Sequence, residues 1–282
     1  MRAYIQLMRF ANCSMAAFAA VVGVFIAARI LGHTITFYAE PGIVDVFLVI
    51  PVVLLVTGAG NAINDYFDVG IDRVNKPSRP IPSGRISTTN ALYFSISLFV
   101  IAAAIAFFIN IICGVIALIN SLILIYYART LKRTPLAGNI SIGYLTGSTF
   151  LFGGAVFGLE GIVSLSILFL LATLATTARE VVKDIEDVDG DTRNGARTLP
   201  ILIGTRRSAY IATIIGLVGL VASPIPYLRS MLGVEYLYVV AVADIFFLIA
   251  IHAIVVRNNA ALSSKLFKAA MFFALIAFIV GA

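Results

Sequence analysis

From Asn12 to Ala282 the chain passes through one apolar stretch of about 20 residues after another, with short polar loops between them. That repetition leaves few folds open. Some 20 residues of α-helix rise roughly 30 Å, the thickness of a bilayer's hydrocarbon layer. Inside that layer each backbone N–H and C=O must be satisfied within its own helix or within a closed barrel. The stretches are too long and too continuously apolar for alternating barrel strands. Composition agrees: 61% of residues are apolar and 12% charged, with mean hydropathy +1.03. A soluble domain of this size has no use for so much apolar surface.

The pattern predicts an all-α polytopic membrane protein with nine transmembrane helices in one bundle, forming a single domain over residues 1–282. The expected spans are about 12–30, 43–68, 89–108, 111–128, 140–159, 161–182, 208–227, 236–256 and 269–282. The first run follows Arg2 and Arg9 as a secretory leader would, but it is long and has no clear small-residue cleavage site, so it is expected to be retained. A net charge of +6 would suggest nucleic acid in a soluble protein. Here it reads as topology: every Lys and Arg except Arg29 and Arg229 falls on one side of this segmentation, which is taken as cytoplasmic, with the N-terminus. Trp is absent, so interfacial anchoring falls to Tyr, Lys and Arg. Cys13 and Cys113 lie in apolar runs and offer neither a disulfide framework nor metal spacing.

Against this background the stretch Asn61–Gly84, NAINDYFDVGIDRVNKPSRPIPSG, stands out. At roughly 100° per residue, Asn64, Asp68 and Asp72 fall within about 80° of one helix face. Stacked carboxylates repel one another, and repeating them on one face suits a bound cation. Arg73, Lys76, Arg79 and Arg85 follow among prolines, where they suit an anionic partner such as phosphate. Pro77, Pro80 and Pro82 stiffen the loop that carries Lys76 and Arg79. A second stretch, REVVKDIEDVDGDTRNGARTLP (residues 179–200), places Asp184, Asp187 and Asp191 at i, i+3 and i+7, again on one face. Each ladder ends an out-to-in helix, about 119 residues apart, and each is expected to open on one cavity mouth. A solvated acidic loop accounts for either ladder alone far better than for both at matching positions.

Mg²⁺ is a hard cation that takes one or two carboxylates, keeps water and completes its shell with phosphate oxygens. Two ladders suit two or more Mg²⁺ around one diphosphate. Such a site stabilises a departing diphosphate, and an allylic substrate would ionise at its C1–O bond. An apolar bundle suits a polyisoprenyl tail and excludes the water that would quench the cation.

NDYFDVGID with NKPSRPIPSG resembles the first aspartate motif of the UbiA family of intramembrane prenyltransferases, and DIEDVDGD resembles the second. The likeness extends over essentially the whole chain. It implies Mg²⁺ as cofactor, a polyprenyl diphosphate donor, and a bundle open laterally to lipid. By position it implies that Asn64, Asp68, Asp72, Asp187 and Asp191, with Asp184 nearby, hold the metal and diphosphate. It also implies a catalytic Tyr and Lys after the fourth helix, here Tyr127 (or Tyr126) and Lys132. Within the family, RFANC, YARTLKRTPLAGNISIGYLTGSTFLFGG and REVVKDIEDVDGD are similar to the archaeal ether-lipid branch. That branch implies transfer of a geranylgeranyl group from geranylgeranyl diphosphate to the hydroxyl of geranylgeranylglyceryl phosphate, a lipid-like phosphate-bearing acceptor; the charge bias is what puts the ladders, and so the active site, at the cytoplasmic side of the cell membrane.

Lys76, Arg79 and Lys132 are candidates for diphosphate contact; the plainer alternative is that they are topology charges. Arg9 and Asn12 are candidates for the acceptor, Arg9 at its phosphate, or else an anchor and a helix cap. Asn139 reads as an N-cap or an active-site donor, and Asp244, mid-span, as a structural hydrogen-bonding group. Gly143 with Gly147, and Gly154 with Gly158, read as close-packing pairs. An aromatic acceptor, as in quinone, haem or chlorophyll-tail synthesis, would use the same metal site. A CDP-alcohol phosphatidyltransferase would need an Asp-Gly-x-x-Ala-Arg run, which is missing, and a transporter would need helices broken at midplane.

Overall fold

The computed structural model describes residues 2–37, 39, 41–193 and 195–282, and among them every regular element is helical. In chain order these are α1 (Arg2–Met8), α2 (Phe10–Leu31), α3 (Ile43–Phe67), α4 (Val69–Asn75), α5 (Thr88–Ile109), α6 (Ile111–Arg129), α7 (Ala137–Ala155), α8 (Gly158–Glu186), α9 (Val188–Arg193), α10 (Leu199–Ile203), α11 (Thr205–Ala222), α12 (Ile225–Leu228), α13 (Val234–Val255) and α14 (Ala260–Gly281). Eight described helical segments are long and apolar enough to cross a membrane: α2, α3, α5, α6, α8, α11 with α12, α13 and α14. The expected fifth span forms as α7, 19 residues long, but glycines and hydroxyls dilute its hydropathy and it is not one of the eight.

The chain forms two compact units. The first holds residues 1–130 and 149–164, the second residues 131–148 and 165–282. In the first, α2, α3, α5 and α6 bury small residues, among them Ala20, Ala59, Ala102, Ala106 and Ala117, while Phe18, Phe25, Val100, Phe108 and Leu122 stay exposed. In the second, Ala178, Ala212, Ala250 and Ala270 lie inside, and Val221, Leu228, Ile245 and Phe272 outside. Small residues inward and large apolar residues outward let helices approach closely and give lipid the bulky surface.

Polar side chains start the helices. Ser87 Oγ accepts from the Asn90 N–H, and Asn259 Oδ1 from the Leu262 N–H. Asn110 Oδ1 accepts from the Cys113 N–H, while its amide donates to the Ala155 carbonyl at 2.9 Å, so the tight turn expected there is also a helix tie. The last helix starts at Ala260 rather than Ala269. Lys265 and Lys268, which fall between the expected last two spans, sit exposed on it, since long charged side chains on an outer face do not break a helix.

Cβ atoms at Gly143 and Gly147 would strike Thr177 and Thr173 of α8, as the close-packing reading requires. The second pair divides differently. Gly154 meets Gly161 backbone to backbone, whereas Gly158 has open space and φ +73°, and serves the turn into α8.

Candidate active site

In the first unit α3 stops at Phe67 and α4 begins at Val69, with Asp68 (φ −90°, ψ 2°) between them. The bonding ladder does not stop: the Asp68 N–H bonds the Asn64 carbonyl, Asp72 N–H bonds Asp68, and Lys76 N–H bonds Asp72. The i, i+4 register therefore continues across Asp68 and keeps the three ladder residues in line. Asn64 Nδ2 donates to Asp68 Oδ2 at 2.9 Å. Asp72 is buried and accepts from Arg79 Nη1 at 2.6 Å.

The loop that presents Arg79 is fastened at several points. Pro80, Ile81 and Ile86 are buried, and Ile81 and Ile86 pack with Leu7 of α1, Ala62 of α3 and Ala91 of α5. The Ile86 N–H bonds the Pro80 carbonyl, and Arg85 donates to the Ser78 carbonyl, Ser83 Oγ and Gln6 Oε1. Asn61 at the start of the motif donates to the Met8 carbonyl at 2.8 Å and so ties α3 to the end of α1.

Asp65 is the residue that sequence reasoning passed over. It lies about 100° from Asn64 but only about 20° from Asp72, at the edge of the ladder, and its side chain is only 4% exposed. It accepts from Arg9 Nη2 at 2.5 Å and from Arg79 Nη1 at 3.0 Å. Its signal was an acid next to a ladder in an apolar helix with arginines ahead of and behind it in the chain. Arg9 itself stands between α1 and α2 at φ 55°. It is the first residue outside α2, and Asn12, weighed as a cap, is instead exposed within the first turn.

In the second unit the same backbone device recurs. α8 ends at Glu186, α9 begins at Val188, and Asp187 stands between. The Asp187 N–H bonds the Lys183 carbonyl, and Asp191 N–H bonds Asp187. Asp184 accepts from the buried Asn139 Nδ2 at 2.8 Å. Asn139 is the third residue of α7, so it is a donor to the ladder and not an N-cap. The contact of Gly143 and Gly147 with α8 brings α7 close enough for that bond. Asp187 is exposed. Asp191 is half-buried; burial, then the Asp187 charge, push its carboxyl above the usual carboxylate range, against the pull of Lys183. Arg179, a turn before the ladder, pairs with Glu180 at 2.5 Å.

Lys76 is exposed beyond α4. Tyr127 is half-buried in the last turn of α6, Tyr126 is exposed, and Lys132 is half-buried in the 3₁₀ turn Leu131–Arg133. Asp244 accepts from Ser223 Oγ at 2.8 Å, and Tyr236 donates to the Ser223 carbonyl at 2.6 Å, a structural network as expected.

Among the described residues no three or more His, Cys, Asp or Glu side chains stand together as a metal cage. The donors are hard oxygens in short open ladders: Asn64 against Asp68, and Asp187 one turn from Asp191. That set fits Mg²⁺, which takes few carboxylates and completes its shell with water and phosphate.

The chain belongs to the UbiA prenyltransferase family, whose model matches residues 14–276. It is a multi-pass membrane protein and a prenyltransferase. It is 60% identical to the digeranylgeranylglyceryl phosphate synthase of Methanococcoides burtonii over the whole of both chains. It is 58% identical to that of Methanosarcina mazei, over 99% of this chain and 98% of the relative. A solved structure concerned with digeranylgeranylglyceryl phosphate synthase in membranes, 40% identical, matches with TM-score 0.85 over 99% of this chain and 97% of the other. A UbiA homolog from Archaeoglobus fulgidus bound to GPP and Mg²⁺ shares the fold at 16% identity, with TM-score 0.71 over 96% of this chain and 99% of that one.

Proposed function

We propose that this protein transfers a geranylgeranyl group from geranylgeranyl diphosphate to the free hydroxyl of geranylgeranylglyceryl phosphate, releasing diphosphate and forming the second ether of an archaeal lipid. The observation that carries this reading over an aromatic acceptor is full-length identity of 58–60% to synthases of that name. The whole chain, 1–282, acts as one prenyltransferase domain with nine spans and a cytoplasmic N-terminus. The reaction runs at the cytoplasmic side, where the positive-inside rule puts both ladders.

Asn64, Asp68 and Asp72 in one unit, and Asp184, Asp187 and Asp191 in the other, would hold Mg²⁺. Bound there, the ion neutralises charge on the diphosphate as it departs. Lys76, Arg79 and Lys132 are the cations that would donate hydrogen bonds to diphosphate oxygens, and Tyr127 lies in the last turn before the loop that carries Lys132. The C1–O bond of the donor breaks with its electron pair going to diphosphate. A lone pair of the acceptor oxygen forms the new C–O bond, and the hydroxyl proton passes to the released diphosphate or to a ladder aspartate. Arg9 and Asn12 orient the acceptor, with the Arg9 guanidinium on its phosphate.

Incubation of purified protein with Mg²⁺, geranylgeranyl diphosphate and geranylgeranylglyceryl phosphate is expected to give the diether phosphate by mass spectrometry. A parallel sample offers 4-hydroxybenzoate. Product from the aromatic acid alone would reassign the acceptor while keeping the donor chemistry.

A further inference from the structure

Asp65 stands at the edge of the first ladder, beside Asp72, and accepts from two arginines. Its side chain is 4% exposed and meets two guanidinium groups, Arg9 at 2.5 Å and Arg79 at 3.0 Å. Arg79 reaches Asp65 and Asp72 through the same nitrogen, Nη1, so the two carboxylates share one donor atom. The side chains of Arg9 and Arg79 are 33% and 21% exposed, so they remain open to solvent beyond the buried carboxylate. Arg9 is held at φ 55°, a left-handed conformation that strains a residue with a Cβ. Such strain persists where surrounding contacts fix it, and the bond to Asp65 is such a contact.

We propose that Asp65 is a positioning residue: it is the counter-ion that shares Arg79 with the ladder carboxylate Asp72, so that Asp72 gives up the guanidinium more readily to a divalent cation, while the same carboxylate holds Arg9 in its strained turn. The proposal rests on the reading of Asp72 as a metal ligand. It follows from charge. Without the Asp65 anion, Arg79 neutralises Asp72 alone and competes with metal for it. With Asp65 in place the guanidinium is shared, and Asp72 exchanges it for a metal ion at lower cost. A buried carboxylate between two arginines is itself expensive to form, and it persists because both partners are present.

The test is a double-mutant cycle on the full chain in detergent, with Mn²⁺ alone as probe, its free concentration read by EPR. Asp65→Asn is expected to weaken Mn²⁺ binding on the order of tenfold, the equivalent of one charge-assisted hydrogen bond. In an Arg79→Gln background the same change is expected to have little effect, because the competitor is gone. Weakening by equal factors in both backgrounds would mean that Asp65 acts by through-space charge alone, and would overturn the proposal. Arg79→Gln by itself is expected to tighten Mn²⁺ binding; unchanged or weaker binding there overturns the proposal even if Asp65→Asn does not fold. A second readout separates positioning from general damage: Asp65→Asn raises KM for the phosphate-bearing acceptor as Arg9→Gln does, and the double variant raises it no further. Additive effects on KM would contradict the shared anchor. A wild-type chain that binds no Mn²⁺ overturns the metal reading and this proposal together, whereas intact Mn²⁺ competition without diether product overturns only the assigned acceptor reaction.

Discussion

The two acidic motifs are built on one backbone plan and neutralised in two different ways. Each interrupts a long helix at a single aspartate, Asp68 or Asp187, and each carries the i, i+4 bonding across the break. The first buries Asp65 and Asp72 and balances them with Arg9 and Arg79. The second keeps Asp187 exposed and gives Asp184 a neutral amide, Asn139, in place of a cation. In the proposed reading each ladder would fix where a hard cation binds, while the neighbours fix what each ladder costs when empty. Two buried acids side by side take arginines, whereas the half-buried Asp184 takes one oriented amide and the exposed Asp187 is left to water.

Removing divalent metal tests what the motifs share, and the effect is the largest. Chelation with EDTA is expected to bring diether formation to background, and added Mg²⁺ to restore it. Activity surviving chelation would break the common role of the two ladders. A smaller loss is expected at Asn139, which belongs to the second motif alone. Asn139→Ala releases Asp184 and should lower activity roughly 10- to 100-fold, the range for outer-shell partners of metal ligands. Asn139→Asp should be worse, since it sets a second carboxylate against Asp184. An Asn139→Asp rate above that of Asn139→Ala would contradict the bond as drawn.

Acid pH sharpens the contrast further. Burial and Asp187 raise the Asp191 carboxyl, so its folded form holds a proton more firmly than the unfolded chain does. The stability this group adds is present at low pH and is lost as pH rises through the raised value. In metal-free protein, Asp191→Asn should therefore gain Tm over wild type as pH increases through that window; a difference independent of pH would count against the raised carboxyl. The smallest effect is reserved for an acid outside both motifs, Asp244. Asp244→Ala removes its bond to Ser223 and should cost about 1 kcal/mol of stability, as single side-chain bonds between membrane helices do, with transfer retained. Loss of transfer at normal stability would move Asp244 into the site.

Much of this was legible in the chain. Segment length and apolarity are read directly against bilayer thickness, and ladders on one helix face follow from periodicity, so the spans and both aspartate sets could be placed in advance. Asp65 was missed because its partners are distant in sequence: Arg9 lies 56 residues away. No local spacing announces such a pair. Asn139 was left between cap and donor because the choice depended on where α7 began, two residues before it. Helix ends were blurred where charge sits on a helix, as at Lys265 and Lys268. Gly158, read as a packing residue, turned out to serve a turn, since periodicity alone does not separate a small residue for contact from one for positive φ.

The central claim is that both ladders serve one metal-dependent prenyl transfer despite their different surroundings. The most direct measurement is diether formation across a Mg²⁺ titration for wild type, Asp68→Asn and Asp187→Asn at matched folded concentration. Both variants are expected to lose roughly 10²–10³-fold in rate, as removal of one stabilising group at a developing charge does, and to need more Mg²⁺. Wild-type rate at wild-type Mg²⁺ in either variant would contradict the account.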